Sequence, residues 1–142
     1  MSDQFRSIAP LDREAHKAAL ASMLASSRSD LPQDYVEFLT NWDGGEGFFG
    51  DSYVVVDGPV LALGTNVAHT KFANPIQFIG GDGGGEAIAF DLREGRQFQI
   101  VMAPFIGTDD HSTWWPMASS FTDLISGNFL PEFRDRFSDD KA

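Results

Sequence analysis

The spacing of the apolar residues changes at residues 43–45, from the period of a helix to the period of β-strands. Before this point, residues 13–27 and the segment that follows Leu31 carry apolar side chains three and four positions apart. After it, short β-branched and aromatic segments alternate with turns that contain glycine or proline. Helices therefore come first and strands follow, which is typical of an α+β domain rather than of alternating βαβ units.

Two helices are predicted before this change of period. The first spans residues 13–27, and its apolar face comprises Ala15, Ala19, Leu20, Met23 and Leu24. The second begins at Leu31-Pro32, because proline suits the first turn of a helix. Its side chains at helical spacing predict one buried face, made of Tyr35, Phe38, Leu39 and Trp42. We expect the glycine-rich residues 44–47 to cap this helix and form a turn.

Five strands are predicted after the change, at residues 52–56, 60–63, 76–79, 86–92 and 97–103. Residues 65–72 fit either a loop or a short helix, and the glycines at 80–85 predict a loose hairpin turn. Ser120 and Asp123 resemble a capping box, so a further helix is expected to start there and to end at Gly127.

The predicted fold is one α+β domain over residues 1–142, with a frayed tail at 138–142. Its sheet is expected to be an antiparallel meander of about four to six strands, with helices packed on one face.

The charge of the chain favours a basic protein partner over nucleic acid. With 10 Lys and Arg against 21 Asp and Glu, the net charge is -11, whereas nucleic-acid binding draws its affinity from cations set against phosphates. Between residues 29 and 92 the only Lys or Arg is Lys71. A surface kept acidic for solubility explains the same composition, so both interpretations stay open.

The absence of cysteine excludes disulfides, thiol catalysis and Cys-ligated zinc. No apolar run approaches the roughly 18 residues that cross a bilayer, and residues 1–10 carry no apolar leader. We therefore expect a cytoplasmic protein that does not enter membranes.

Four segments, in this order, resemble the SUKH superfamily. They read LPQDYVEFL at residues 31–39, NWDGGEG at 41–47, IGGDGGGEAIAFDL at 79–92 and SSFTDLI at 119–125. One departure occurs after the second helix, where many relatives have Asn-Gly and this chain has Asn41-Trp42-Asp43-Gly44. The superfamily includes bacterial immunity proteins and a fungal regulator of cell-wall synthesis. The resemblance implies a non-catalytic domain that neutralises a toxin by binding it, nuclease toxins among them, or an intracellular adaptor or scaffold.

Enzymatic alternatives have little support in the sequence. The glycines at 80–85 lack the Lys-Ser/Thr of a phosphate-binding loop. A metal-dependent hydrolase would need clustered oxygen and imidazole ligands, for which the candidates are Asp82, Glu86, Asp109, Asp110 and His111. No recognised ligand spacing links these residues, so neither a metal nor another cofactor is expected.

The predicted partner-binding residues are loop carboxylates with an aromatic anchor beside them. A nuclease carries Lys and Arg to hold phosphates, so its groove complements carboxylates. The candidates are Glu46, Asp51, Asp57, Asp109 and Asp110, with Trp114 or Trp115 as the apolar anchor. Asp82 and Glu86 rank lower, because the glycine turn beside them has a structural use.

Overall fold

The computed structural model describes residues 5–26, 30–68, 75–96, 98–104 and 111–135. Within them the helices are α1 (Arg13–Ser26), α2 (Gln33–Asn41), α3 (Pro59–Ala68), α4 (Phe121–Ser126) and α5 (Pro131–Arg134). The strands are β1 (Phe5–Ser7), β2 (Gly44–Phe49), β3 (Ser52–Asp57), β4 (Ile76–Gly81), β5 (Glu86–Asp91), β6 (Gln99–Pro104) and β7 (Trp115–Ala118). A single 3₁₀ turn, His111–Thr113, precedes β7.

The strands form one sheet in chain order, β1 to β7, and every neighbouring pair is antiparallel. The predicted α+β class and antiparallel meander are therefore confirmed. The predicted number of strands was wrong, because the described part of the sheet has seven strands. β1, β2 and β7 were missed.

The glycines at 44–47 belong to β2, so their predicted role as a helix cap and turn was wrong. Gly45 lets β1 approach closely: a Cβ there would lie 2.7 Å from the ring of Phe5 and 2.6 Å from the carbonyl oxygen of Arg6. A side chain there would collide with β1. The helix α2 ends instead at Trp42, which is already extended.

The predicted strand at residues 60–63 was also wrong, because these residues lie in α3. Pro59 suits the first turn of this helix. Asn66, later in α3, links the helix to β4. Its side-chain amide donates to the carbonyl oxygen of Phe78 at 2.9 Å and accepts from the Phe78 N–H at 2.8 Å. β3 pairs with β4 only through Val55 and Val56, so Asn66 bonds backbone groups of β4 that β3 does not reach.

Every described helix contributes buried side chains to one cluster on the inner face of the sheet. From the helices come Met23, Tyr35, Phe38, Leu39, Ala62, Phe121, Leu124 and Phe133. From the central strands come Val54, Val56, Ile79, Ile88, Phe90, Ile100 and Met102. The ring of Tyr35 lies 5.1 Å from those of Phe90 and Phe121, as expected for helix α2 packed on the sheet.

Two details of the predicted helical faces were wrong. Trp42 is 39% exposed, because it follows the last turn of α2 with a φ of -132° and leaves the helical face. In α1 the buried residues are His16 and Met23, whereas Leu24 is exposed. The Nε2 of the buried His16 ring lies 3.0 Å from the carbonyl oxygen of Trp42, and this contact ties α1 to the end of α2.

The outer face of the sheet carries a second, smaller cluster, here called the outer cluster. It consists of Ile76, Phe78, Ala87, Ala89, Val101, Ala103 and Trp114. The guanidinium carbon of Arg93 lies 5.0 Å from the centre of the Trp114 ring, and Arg93 donates to the buried carboxylate of Asp91 at 2.8–3.2 Å. The outer cluster is confined to β4, β5, β6 and the residue before β7.

The helix α4 has the ends that the sequence predicts. The Ser120 hydroxyl accepts from the Asp123 N–H at 3.1 Å, and Gly127 caps the other end with a φ of 76°. None of the helices in the described ranges is long and apolar enough to cross a membrane.

Candidate partner-binding face

The outer side of β1, β2 and β3 presents side chains that belong to neither apolar cluster. Arg6 is opposite Glu46, Glu46 is opposite Val55, and Phe48 is opposite Tyr53. Alternation along β3 places Val54 and Val56 in the inner cluster and the residues between them on the other side. We name this surface the open face, and it comprises Arg6, Glu46, Phe48, Tyr53, Val55 and Asp57.

An aromatic pair and a carboxylate form the centre of the open face. The rings of Phe48 and Tyr53 lie 4.6 Å apart and are inclined by 36°, and Phe48 is 61% exposed. The Tyr53 hydroxyl donates to Oε1 of Glu46. This hydrogen bond, followed by desolvation and the charge of Glu46, raises the pKa of Tyr53, while the charge of Arg6 opposes the rise. Tyr53 therefore stays neutral and holds the carboxylate in one position.

Arg6 lies beside the carboxylate of Glu46 on the open face. One of its guanidinium nitrogens is 3.9 Å from Oε2 of Glu46, and its side chain is 80% exposed. Exposed ion pairs of this kind contribute little to stability. Together with Gly47, Arg6 and the three residues of the centre surround an open pocket of about 410 Å³.

A second, smaller pocket of about 200 Å³ continues the open face toward the glycine turn. It is lined by Val55, Asp57, Gly80, Gly81, Gly83, Gly84 and Glu86. Asp57 is partly buried, and this desolvation raises the pKa of its carboxyl group. Burial, and to a smaller extent the charge of Asp57, also raises the pKa of Tyr35. The Asp57 carboxylate has no hydrogen-bond partner among the residues that the structure describes.

The structure brings together two of the predicted site residues. Glu46 and Asp57 share the open face, since Glu46 is opposite Val55 and Asp57 follows two positions later. Asp51 is exposed in the turn of the β2–β3 hairpin, at the other end of β3 from Asp57. Asp109 and Asp110 lie outside the described residues.

The two tryptophans predicted as anchors have different environments. Trp114 is only 7% exposed and belongs to the outer cluster. Trp115 is 42% exposed, and its indole N–H donates to the carbonyl oxygen of Glu132 at 3.1 Å. Trp114 therefore packs in the outer cluster, whereas Trp115 stays exposed and is hydrogen-bonded to α5.

Three residues that line the pocket of the open face were not predicted from the sequence, namely Arg6, Phe48 and Tyr53. Tyr53 had a signal, because the alternation in residues 52–57 places it on the same side as Asp57. Arg6 and Phe48 had none, because β1 and β2 were not predicted. Asp82 belongs to the glycine turn, where its Oδ1 accepts from the N–H of Gly84 at 2.8 Å.

Within the described ranges, no group of three or more His, Asp or Glu side chains is arranged to hold a metal ion. Of the residues weighed for a metal, Asp82 and Glu86 lie at the glycine turn. Asp109 and Asp110 fall outside the described part of the chain. The described geometry therefore gives the hydrolase alternative no ligand set.

The model of the SMI1 / KNR4 family (SUKH-1) matches residues 15–127. Because this match covers most of the chain, the protein belongs to that family, as the four sequence segments predicted. The match includes the whole open face except Arg6. No curated protein matches the chain significantly.

Proposed function

We propose that this SUKH-domain protein is a non-catalytic, protein-binding immunity protein that neutralises a cognate toxin through the open face. The observation that carries this proposal is the exposed Phe48 ring on Tyr53, beside a carboxylate held in place by the Tyr53 hydroxyl. Exposed apolar patches that are rimmed by polar residues are typical of interaction sites. Family membership supports the general role, since the resemblance implies binding rather than chemistry.

The chemistry of the open face suits a basic partner. Aromatic side chains supply much of the binding energy at protein interfaces, and Phe48 and Tyr53 offer that contact area without a change in the core. Glu46 and Asp57 add negative charge to a chain whose net charge is -11. A nuclease that holds phosphates with Lys and Arg carries the complementary surface.

The proposal changes the roles of the residues first selected by sequence. Glu46 and Asp57 are direct contacts, and Asp51 adds charge at the rim, where it speeds association. Asp109 and Asp110 remain proposed rim residues. Phe48 takes the role of apolar anchor that the sequence assigned to Trp114 or Trp115, because Trp114 is buried and the indole N–H of Trp115 is already bonded to α5.

The test is the kinetics of binding to a toxin encoded beside this gene. The variant combines Glu46→Lys with Phe48→Ala, and the matched control is Glu94→Lys, which reverses one exposed carboxylate in the turn after β5. We expect association of the parent protein to slow as salt rises, and the double variant to associate at least about tenfold more slowly at low salt. The control should behave like the parent.

Protection from the toxin in co-expressing cells provides the second readout. The double variant should fold, as shown by its thermal unfolding, and should fail to protect. If it binds and protects as well as the parent, the open face is not the interface. If the parent protein binds no neighbouring toxin, the adaptor interpretation replaces immunity.

A further inference from the structure

We propose that the pocket between Glu46, Phe48 and Tyr53 receives an arginine side chain of the partner, and that Arg6 occupies its mouth in the free protein. This inference rests on the proposed function, because it names the chemistry that the open face recognises. It names arginine as the residue type of the partner that the open face binds, beyond a general attraction between acidic and basic surfaces.

The carboxylate of Glu46 has one oxygen engaged and one oxygen available. Its Oε1 accepts from the Tyr53 hydroxyl, whereas its Oε2 lies 3.9 Å from a guanidinium nitrogen of Arg6 and has no hydrogen bond to the residues that the structure describes. That separation is too long for a hydrogen bond. The acceptor is thus fixed in position by Tyr53 and still able to bind a donor from outside.

The aromatic wall selects for a flat cation. Phe48 and Tyr53 form an inclined pair beside the carboxylate, so a group that enters the pocket can stack on a ring and donate to Glu46 at the same time. A guanidinium is planar, stacks on aromatic faces and carries several donors in one plane, whereas an ammonium is compact and strongly hydrated. The geometry therefore favours arginine over lysine.

Arg6 shows that a guanidinium can reach this position, and that it is held there weakly. It lies on β1, an edge strand of three residues, and most of its side chain is in water. Such a contact costs little to break. A partner's arginine would displace it and, with its own chain anchored elsewhere on the open face, would approach closely enough to form the hydrogen bond that Arg6 does not form.

The experiment uses the full chain and three small probes, N-acetyl-arginine methylamide and its lysine and citrulline counterparts. Citrulline keeps the shape of arginine and removes its charge. Aromatic proton–carbon NMR spectra at low salt should show saturable shifts of Phe48 and Tyr53 with the arginine probe. The citrulline probe should bind at least about tenfold more weakly, because it lacks the charge-assisted hydrogen bond, and the lysine probe should fall between them.

Four variants separate this site from general charge attraction. Glu46→Gln should abolish the response, Tyr53→Phe should weaken it, and Arg6→Gln should strengthen it by removing the competing cation. The matched control Glu94→Gln should leave it unchanged. Equal shifts with the arginine and citrulline probes, or no saturable shift in either the parent or the Arg6→Gln variant, would overturn the proposal.

Failure of the arginine pocket and failure of the immunity role give different results. If the toxin binds through the open face but the arginine probe gives no selective response, the arginine pocket is wrong and the immunity role stands. If the probe binds selectively but no toxin does, the pocket is real and its protein partner belongs to another process.

Discussion

The outer face of one continuous sheet has two halves that differ in what packs on them. On β4, β5 and β6, the outer cluster is buried: Ala87 and Ala89 are fully buried, and Trp114 is only 7% exposed. On β1, β2 and β3, the open face leaves Phe48 in water. The outer residues of β4, β5 and β6 in this cluster are apolar and buried, whereas the open face carries three charged residues, Arg6, Glu46 and Asp57. The two halves therefore differ both in the side chains that they present and in how far these are buried.

The carboxylates of the two halves show the same difference. Asp91 is buried, and Arg93 donates to both of its oxygens. Asp57 is partly buried beside the glycine turn and has no such partner among the described residues. A buried charge without a partner destabilises a fold, so the stability of the fold does not explain why an aspartate is present at position 57. This supports its assignment to binding.

The largest expected difference between the halves lies in the free energy of unfolding. Trp114→Ala should cost about 3–5 kcal/mol, because it removes a large buried aromatic side chain from the outer cluster. Phe48→Ala also removes an aromatic side chain, but from the open face, and should change the free energy of unfolding by about 0.5 kcal/mol or less. Urea unfolding of both variants measures this. Similar losses would mean that Phe48 contributes to the core.

The two arginines test the same difference through charge. Arg93→Ala should cost roughly 2–4 kcal/mol, because it leaves Asp91 buried without its partner. Arg6→Ala should change stability by less than about 0.5 kcal/mol, since its ion pair with Glu46 is exposed. Thermal unfolding of each variant against the parent gives both values. A costly Arg6 substitution would show that β1 depends on this contact.

The smallest expected effect is a gain of stability at Asp57. Because its pKa is raised, the folded state binds the proton more tightly than the unfolded state, so stability falls as pH rises through the window from the unfolded to the folded pKa. Asp57→Asn mimics the protonated form. It should stabilise the protein at pH 7 by less than about 1 kcal/mol, measured as a higher melting temperature. This gain should disappear below the pKa that the Asp57 carboxyl group has in the unfolded chain.

Asp91→Asn provides the comparison for this pH series. It should lower stability at pH 7, because the charge partner of Arg93 is lost. Opposite signs for the two aspartates would sharpen the distinction between the halves. If Asp57→Asn were destabilising at pH 7, Asp57 would have a structural partner and would not be a free contact.

Sequence reasoning succeeded where the signals are local. The helical spacing of Tyr35, Phe38 and Leu39 predicted α2, and Ser120 with Gly127 predicted both ends of α4. These features depend on a few neighbouring residues and on backbone hydrogen bonds within one element.

It failed where the structure depends on distant partners. The short apolar segment within α3 is too brief to show a period, so it fits a strand as well as a helix. β2 is a strand because it pairs with β1 and β3, and nothing local indicates this. The same reason applies to the open face: charge made Glu46 and Asp57 candidates, whereas Phe48, Tyr53 and Arg6 join them only through strand register.

The central claim, that the open half of the sheet binds the partner and the closed half supports the fold, is tested most directly by aromatic NMR spectra recorded as the toxin is added. Resonances of Phe48 and Tyr53 report on the open face, and those of Trp114 and Phe78 report on the outer cluster. We expect the first pair to shift or broaden and the second pair to stay in place. Shifts confined to Trp114 and Phe78, with Phe48 and Tyr53 unchanged, would contradict the account.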